Sequence, residues 1–345
     1  MANQRAIASS LGLTQATVSM ALRNDPGISP ATRLKVREAA ERMGYRPNPC
    51  VASLMARIRT GRPVSEKGTI GVLYCFASFK EWMQTPAFRL HYEGITEKAS
   101  SLGFHVEPFV LPSDQAHIKR LEKTLCFRGI NGLILPSAGP NTPGEKACLN
   151  WNRYACAAIG YDWKLPGVDR VEGHSRHQVD TAFEKIKERG YQRIGMCIPP
   201  EGWEGADRNL RAGYYLAQSA MPRSQQIPLF VGKPGVTPVK EFKKWLQKWR
   251  PDVILGVIGH EMDYLRELSL STPEDIGLAC LNRTDESSFA GIDAKQHRVG
   301  ATAAEIVISS ILRNEYGPSA YSRLTLIEGT WVDGTTLRTS PPNAR

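Results

Sequence analysis

The sequence predicts an all-α N-terminal unit followed by an α/β unit made of two doubly wound lobes. Two observations support this fold class. In the first fifty residues, apolar side chains recur at helical spacing in three short stretches. From Gly68 onward, short apolar runs alternate with longer amphipathic stretches, as in β-α units of parallel sheets. We therefore expect three helices and then two successive series of strands and helices.

The composition is that of a soluble globular protein. Hydrophobic residues make up 41% and charged residues 23% of the 345 positions, a length that suits about two or three domains. No apolar run approaches the ~18 residues of a membrane span, and polar residues follow Met1 where a signal peptide would be apolar. We expect a cytoplasmic protein with no membrane partner.

The seven cysteines are scattered and never spaced as the close pairs of a zinc or redox motif. We expect reduced thiols, no metal site and no cofactor. The net charge is +10, and residues 1–66 alone carry ten basic side chains against four acidic ones. More than half of the excess charge therefore lies in the first fifth of the chain, which favours a polyanionic partner there.

The first two helices are predicted with a tight turn between them. Ile7, Ala8 and Leu11 lie at helical spacing before Gly12, and Thr14 can cap a second helix that buries Val18 and Leu22. The other face of that second helix carries small or polar side chains: Gln15, Ala16, Thr17, Ser19, Met20 and Arg23. Such a pair of helices fits the major groove of B-DNA.

A third helix begins at Ser29-Pro30 and ends at Gly44, with one apolar face formed by Val36, Ala39, Ala40 and Met43. The prolines after it force an extended segment at 45–49. Residues 51–57 can then form one or two helical turns, which is too short to be stable alone.

These features, in this order, resemble the DNA-binding headpiece of the LacI/GalR family across about fifty positions. The matching residues are Ile7-Ala8, Leu11-Gly12-Leu13-Thr14, Thr17-Val18-Ser19, Leu22, Ile28-Ser29, Thr32-Arg33, Val36, Ala39-Ala40 and Gly44-Tyr45-Arg46-Pro47-Asn48. The resemblance implies that Gln15, Ala16 and Met20 face base edges. It implies phosphate or other DNA contacts for a further set: Thr17, Ser19, Arg23, Ser29, Thr32, Tyr45 and Asn48. Leu54 is similar to the hinge-helix leucine that wedges between bases in the minor groove.

The chain departs from the family pattern at two DNA-contacting positions. Met20 stands where an arginine is usual, and Ala52 where arginine or glutamine is common. Apolar contact, for instance with a thymine methyl, is then the expected readout at Met20. We predict four segments: a helix-turn-helix headpiece at 1–48, a hinge helix and linker at 49–66, a two-lobed sensing and dimerisation domain at 67–338, and a tail at 339–345.

The elements of the larger domain follow from the alternating pattern. Strands are predicted at 69–74, 105–111, 132–136, 155–160, 193–198, 228–231, 253–258 and 276–281. Helices are predicted at 87–102, 114–126, 175–189, 208–220 and 239–248. A closing helix at 299–312 and a strand at 324–332 are expected to cross back between the lobes. This arrangement is similar to the periplasmic-binding-protein-like sensor of the same family.

A small-molecule effector is expected in the cleft between the lobes, because ligands of open α/β sheets bind beyond the carboxyl ends of the strands. The loops there carry aromatic side chains that can stack on a sugar: Phe79, Trp82, Tyr161, Trp163 and Trp203. The candidate effector-binding residues are Phe79, Trp82, Trp163, Trp203, Arg208, His260 and Asn282. The family's polar pattern is altered, however: Gly259-His260 replaces Asn-Asp, Asn282-Arg283 replaces Asp-Asp, and Leu210 replaces an arginine.

The sequence argues against two other classes of function and leaves a third open. The chain has no Walker loop, dinucleotide fingerprint or catalytic constellation, so we expect no enzyme and no catalytic residues. The doublets His174-Ser175 and His260-Glu261 are interpreted as ordinary polar residues. An exported solute receptor would share the two-lobed fold but has no use for a basic headpiece. A sensor that answers to a protein partner stays open. We predict a homodimeric repressor that binds double-stranded operator DNA under control of a sugar-like effector.

Overall fold

The computed structural model describes residues 4–22, 27–45, 68–137, 149–198, 204–232, 238–257, 259, 261–283 and 288–339. The chain divides into two compact units between Lys67 and Gly68, with Leu312–Asn314 grouped with the first. No helix among the described residues is long and apolar enough to cross a membrane. The two units are described separately.

The described residues of the N-terminal unit form three helices, as predicted. They are α1 (Gln4–Leu11), α2 (Gln15–Leu22) and α3 (Pro30–Arg42). Their buried residues form one small core: Ile7, Ala8, Val18, Ala21, Val36, Ala39 and Ala40. Gly12 joins α1 to α2 with a φ of 65°, a left-handed conformation that glycine adopts without a steric penalty.

Two details of this core differ from the prediction. Ala21, rather than Leu22, joins Val18 as a fully buried residue of α2, and Leu22 is only partly buried against the core. Met43 is 37% exposed instead of completing the apolar face of α3. The cause is local: α3 ends at Arg42, and the Met43 backbone (φ −86°, ψ 0°) has already left the helical geometry that would aim its side chain inward.

The second unit contains two lobes, each built on a six-stranded sheet among the described residues. The N-lobe sheet has the order β11-β5-β4-β3-β1-β2. Its strands are β1 (Gly68–Tyr74), β2 (Phe104–Val110), β3 (Gly132–Leu135), β4 (Ala155–Ile159), β5 (Asp169–Gly173) and β11 (Leu324–Ile327). Every strand pair in it is parallel. The helices in this part of the chain are α4 (Phe79–Trp82), α5 (Pro86–Ser101) and α6 (Gln115–Phe127).

The C-lobe sheet has the matching order β12-β10-β9-β8-β6-β7. Its strands are β6 (Ile194–Ile198), β7 (Phe230–Val231), β8 (Val253–Gly256), β9 (Gly277–Cys280), β10 (Ala290–Asp293) and β12 (Thr330–Val332). Only β12 runs antiparallel to its neighbour. The helices are α7 (Ser175–Glu188), α8 (Glu204–Ser219), α9 (Pro238–Trp249) and α10 (Glu261–Glu267), and the last helix of the chain is α11 (Gln296–Arg313). The prediction of two doubly wound lobes is confirmed.

Three segments of the chain cross between the lobes. The first joins β5 of the N-lobe to α7, whose buried face packs in the C-lobe core. The second joins β10 to α11, which packs on the N-lobe sheet with Val307 and Ile311 beside Gly132. The third joins β11 to β12. The predicted single strand at 324–332 is therefore two strands, one in each sheet, separated by Glu328 and Gly329.

Strand β5 was not predicted, because its sequence Asp-Arg-Val-Glu-Gly holds one large apolar residue. Burial alternates along it, and its buried Asp169 accepts hydrogen bonds from the backbone N and the Nε of Arg323, at 2.8 and 2.9 Å. A buried carboxylate needs such donors. The strand is thus completed by a residue 154 positions further along the chain, just before β11.

Helices α5 and α11 cross in unusually close contact. A Cβ on Gly300 would lie 2.0 Å from the carbonyl oxygen of His91, and a Cβ on Gly94 would lie 1.9 Å from that of His297. Beside this crossing, His91 Nε2 lies 2.5 Å from Gln296 Oε1, and Gln296 Nε2 donates to Asn282 Oδ1 at 3.0 Å. Burial lowers the pKa of His91 to about 4, so its ring is neutral.

Candidate functional site

The first candidate site is the exposed face of α2. The Oγ1 of Thr14 accepts from the backbone N of Thr17 at 3.1 Å and caps the helix as predicted. Because Val18 and Ala21 face the core, the opposite face is left to Gln15 and Ala16, which are exposed. The face also includes three half-buried side chains: Thr17, Ser19 and Met20.

Flanking groups extend this polar surface. Arg5 of α1 donates through Nε to Gln15 Oε1 at 3.2 Å. Ser29 caps α3 by accepting from Thr32 N at 3.2 Å, and their two hydroxyl oxygens are 2.8 Å apart. Tyr45 packs against the core and its backbone N donates to Ala40 O at 2.8 Å. The predicted DNA contacts Arg23, Asn48 and Leu54 lie outside the described residues, as does the predicted hinge helix at 51–57.

The second candidate site is a cavity of about 290 Å³ next to the carboxyl ends of β4 and β5. Its polar lining consists of Tyr161, His174, Ser175, Arg176 and Asn209. An apolar wall is formed by Ala212, Leu216 and Leu326. Tyr161 and Leu326 belong to the N-lobe, and Asn209 and Leu216 to α8, which packs in the C-lobe. A ligand in this cavity would therefore touch both lobes.

Several interactions hold the lining side chains in place. The Tyr161 and Asn209 side chains hydrogen-bond to each other. His174 Nδ1 lies 3.6 Å from Glu328 Oε1, and Arg176 Nε lies 3.3 Å from Asp180 Oδ2. Both contacts are open to solvent.

A carboxyl group with a perturbed pKa lies beside the cavity. Glu172 precedes the lining residue Gly173, and its Oε1 accepts from Gly173 N at 3.1 Å. Burial raises the pKa of Glu172 to about 7. Near neutral pH this carboxyl is therefore partly protonated and repels an anion less than an ordinary glutamate would.

Two of the aromatic side chains predicted to stack on an effector are instead core residues. Trp82 is fully buried and stacks on Tyr74, with ring centroids 5.6 Å apart. Trp163 is 1% exposed, and its Nε1 donates to the Pro136 carbonyl at 2.7 Å. Neither ring presents a face to a ligand, because neighbouring side chains already cover it.

Three further predicted effector residues that the structure describes do not line the cavity either. Phe79 is half-buried, with its ring edge-on to Tyr92 at 5.0 Å. Arg208 is exposed and lies one position before the lining residue Asn209. The side-chain oxygen of Asn282 accepts a hydrogen bond from Gln296 Nε2. Trp203 and His260 lie outside the described residues.

Sequence reasoning missed the doublet His174-Ser175 as part of a site. These residues follow β5 directly, at the carboxyl end where ligands of such sheets bind. The signal was hidden because β5 itself was not recognised. Tyr161, by contrast, was predicted among the loop aromatics and does line the cavity.

A buried carboxyl also lies in the C-lobe. Glu261 is 1% exposed at the start of α10, and its side chain hydrogen-bonds with the Cys197 thiol. Burial raises the pKa of Glu261 to about 7 and that of Cys197 well above its usual value. The Oε2 of Glu261 has no hydrogen-bond partner among the described residues. In the part of the chain that the structure describes, no three His, Cys, Asp or Glu residues are placed to hold a metal ion.

The comparisons with known proteins agree with this organisation. Residues 5–48 match the family described as "Bacterial regulatory proteins, lacI family". Catabolite control protein A of Staphylococcus epidermidis is 21% identical over 277 residues, which is 79% of each chain.

Solved structures resemble the chain over almost its whole length. The transcriptional regulator CelR in complex with cellobiose matches with a TM-score of 0.60 at 17% identity, covering 97% of this chain and 100% of CelR. The lac repressor dimer bound to operator and the anti-inducer ONPF matches with a TM-score of 0.58 at 18% identity, covering 98% and 99% of the two chains. At these identities the likeness shows a shared fold.

Proposed function

We propose that this chain is a regulator of the LacI family, a transcriptional repressor that binds operator DNA as a homodimer and answers to a small-molecule effector. The observation that carries the proposal is the exposed face of α2, where a capped helix presents Gln15 and Ala16 beside the basic side chain of Arg5. That geometry suits a recognition helix in the major groove.

The dimer follows from the small size of this surface. One eight-residue helix reads only a few base pairs, and a two-fold axis doubles the contacts. The lac repressor, of the same fold, is a dimer on its operator. Selection of binding sites from random DNA by the full chain should return an inverted repeat. Selection of an asymmetric single site at the highest affinity would contradict the dimeric mode.

A matched set of variants separates base contacts from phosphate contacts. Gln15→Ala should relax base preference at one position in each half-site, at a cost of ~1–3 kcal/mol there. Arg23→Ala should weaken operator and random DNA about equally and reduce the salt dependence of binding. Arg120→Ala, which removes the same charge from an exposed position on α6, serves as the control and should do neither. The roles are wrong if Arg23→Ala changes base preference and Gln15→Ala does not.

We assign effector binding to the cavity next to β4 and β5. It spans both lobes, so a ligand that prefers one lobe arrangement shifts the equilibrium by its differential affinity. CelR, of the same fold, binds cellobiose. Thermal-shift measurements on the full chain with sugars, polyols and sugar acids test the assignment, because a ligand of the folded state raises the melting temperature. Leu216→Trp should fill the cavity and abolish the shift; a shift that survives in this variant would place the effector elsewhere.

We further propose that residues 51–57 form a helix only when two copies pack in the minor groove, with Leu54 as the wedge. A segment this short lacks stability alone, and opening a base step costs a few kcal/mol that DNA contacts must offset. Leu54→Ala should lose most specific affinity and DNA bending while dimerisation and ligand binding stay intact. Unchanged bending at full affinity would make this segment a passive linker.

A further inference from the structure

The polar lining of the cavity is made of hydrogen-bond donors. His174 and Arg176 carry or can acquire positive charge, Ser175 and Tyr161 offer hydroxyls, and Asn209 offers an amide. None of the described residues that line it is an aspartate or glutamate. From this lining we propose that the cavity binds a small polyhydroxylated anion, a sugar acid or a sugar phosphate, in preference to a neutral sugar. The inference deepens the proposed function, since it names the effector class of the assigned cavity.

The two basic side chains are available to such a ligand. Arg176 pairs with Asp180 and His174 with Glu328, but the side chains of Arg176 and Glu328 are each 65% exposed. Exposed ion pairs contribute little to stability, because water screens both charges. An anion held inside the cavity, with less access to water, can therefore replace either carboxylate. A guanidinium also binds a carboxylate or phosphate through two parallel hydrogen bonds, which a hydroxyl cannot match.

An acidic side chain, Glu172, adjoins the cavity without lining it, and its Oε1 accepts from the backbone N of Gly173. Because burial raises the pKa of Glu172 to about 7, this carboxyl repels an anion less near neutral pH than an ordinary glutamate would. The first turn of α7, a 14-residue helix, supplies Ser175 and Arg176, and backbone N–H groups at such a position favour an anion.

The rest of the cavity fits the polyhydroxylated part of the ligand. A volume of about 290 Å³ lies at the small end of ligand pockets, which suits a monosaccharide. Leu216 and Leu326, which are 50% and 41% exposed, offer an apolar surface for the C–H face of a sugar ring. Tyr161 and Asn209 can exchange their mutual hydrogen bond for bonds to hydroxyls. The ligand would then connect the two lobes at the place where Tyr161 and Asn209 connect them in its absence.

The test is calorimetric titration of the full chain with D-glucuronate, D-glucose 6-phosphate and D-glucose, which share a ring and differ at C6. At least one anion should bind ten times more tightly than glucose, and the two anions distinguish an acid from a phosphate. Arg176→Gln should reduce that preference at least tenfold. Arg266→Gln, an exposed arginine paired with Asp263 on α10, is the matched control and should leave it unchanged.

Three results would overturn the inference. These are glucose binding at least as tightly as both anions, no binding of any of the three at millimolar concentration, and an anion preference that persists in Arg176→Gln. Operator binding, measured on the same samples, separates this inference from the proposed function. If the unmodified chain binds its operator but shows no preference for an anion, only the ligand class is refuted. If the unmodified chain does not bind an operator, the regulator function itself is refuted.

Discussion

The close crossing of α5 and α11 can be tested sharply, because helix propensity and steric clash predict opposite changes in stability for a substitution there. Gly300→Ala replaces a glycine inside an 18-residue helix. Helix propensity alone predicts stabilisation by about 1 kcal/mol. The new methyl carbon would, however, lie 2.0 Å from the His91 carbonyl oxygen and 2.7 Å from its carbonyl carbon.

The magnitude follows from what the methyl meets. A backbone carbonyl cannot rotate away as a side chain can, so the helices must separate by roughly 1 Å. That movement would loosen the His91–Gln296 contact and the packing of Ile311 against Gly132. Overpacking of this kind costs typically 1–3 kcal/mol, and a backbone clash belongs at the upper end. The gain of about 1 kcal/mol in helix propensity offsets part of this cost. We therefore expect a net destabilisation of about 2 kcal/mol, which lowers the melting temperature by about 4–8 °C.

Urea denaturation and thermal melting of the full chain, followed by tryptophan fluorescence, measure this effect. Gly213→Ala in α8 is the matched control, because its new methyl would lie 3.3 Å from a Val179 side-chain carbon and meet no backbone closer than 3.5 Å. It should be near neutral. The double variant Gly94→Ala/Gly300→Ala should cost less than the sum of the single changes, since one separation relieves both clashes. A Gly300→Ala protein as stable as the unmodified chain would refute the close crossing.

Three further predictions concern single hydrogen bonds and one buried acid. Ser29→Ala removes the cap on Thr32 N and should destabilise α3 by about 1 kcal/mol, seen as roughly fivefold faster hydrogen exchange of its amides; unchanged exchange would mean that the cap contributes nothing. Tyr161→Phe removes the bond to Asn209 and should lower the stability of the second unit by about 1 kcal/mol, measured by its urea midpoint, with a null result contradicting the bond. Because the folded pKa of Glu261 is raised to about 7, the folded state holds its proton where the unfolded chain has lost it, and stability must fall as pH rises from about 4.5 to 7. Glu261→Gln should show a smaller loss of urea midpoint between pH 5 and pH 8, and an equal loss in both proteins would exclude the assignment.

The three N-terminal helices could be predicted because their signals are local. The caps at Thr14 and Ser29 and the turn at Gly12 each act within a few residues. Most strands of the two lobes were predicted for a related reason: many are buried on both faces and appear as short apolar runs. Strands β5 and β10 (Ala290–Asp293) were missed. Strand β5 was not predicted because its buried Asp169 is stabilised by hydrogen bonds from Arg323, which lies far away in the sequence.

The candidate effector site was predicted less well, because burial is a property of the whole fold. An aromatic residue in a loop has the same sequence signature whether it faces a cleft or folds back into the core. Trp163 does the latter, held by the carbonyl of Pro136. Its neighbour Tyr161, two positions earlier, reaches the cavity instead. Nothing in the local sequence separates these two outcomes.

The three crossings between the lobes restrict how the second unit can move. They leave the sheets at neighbouring strands, β5 and β11 in one lobe and β10 and β12 in the other. The third crossing is only Glu328 and Gly329 long, and a Cβ on Gly329 would lie 2.5 Å from an Ile292 methyl. Sliding or separation of the lobes would stretch all three connections at once, so rotation of one lobe against the other is the motion that these connections oppose least. We therefore expect two chemically unrelated ligands that hold the lobes at the same angle to have the same effect on the rest of the protein.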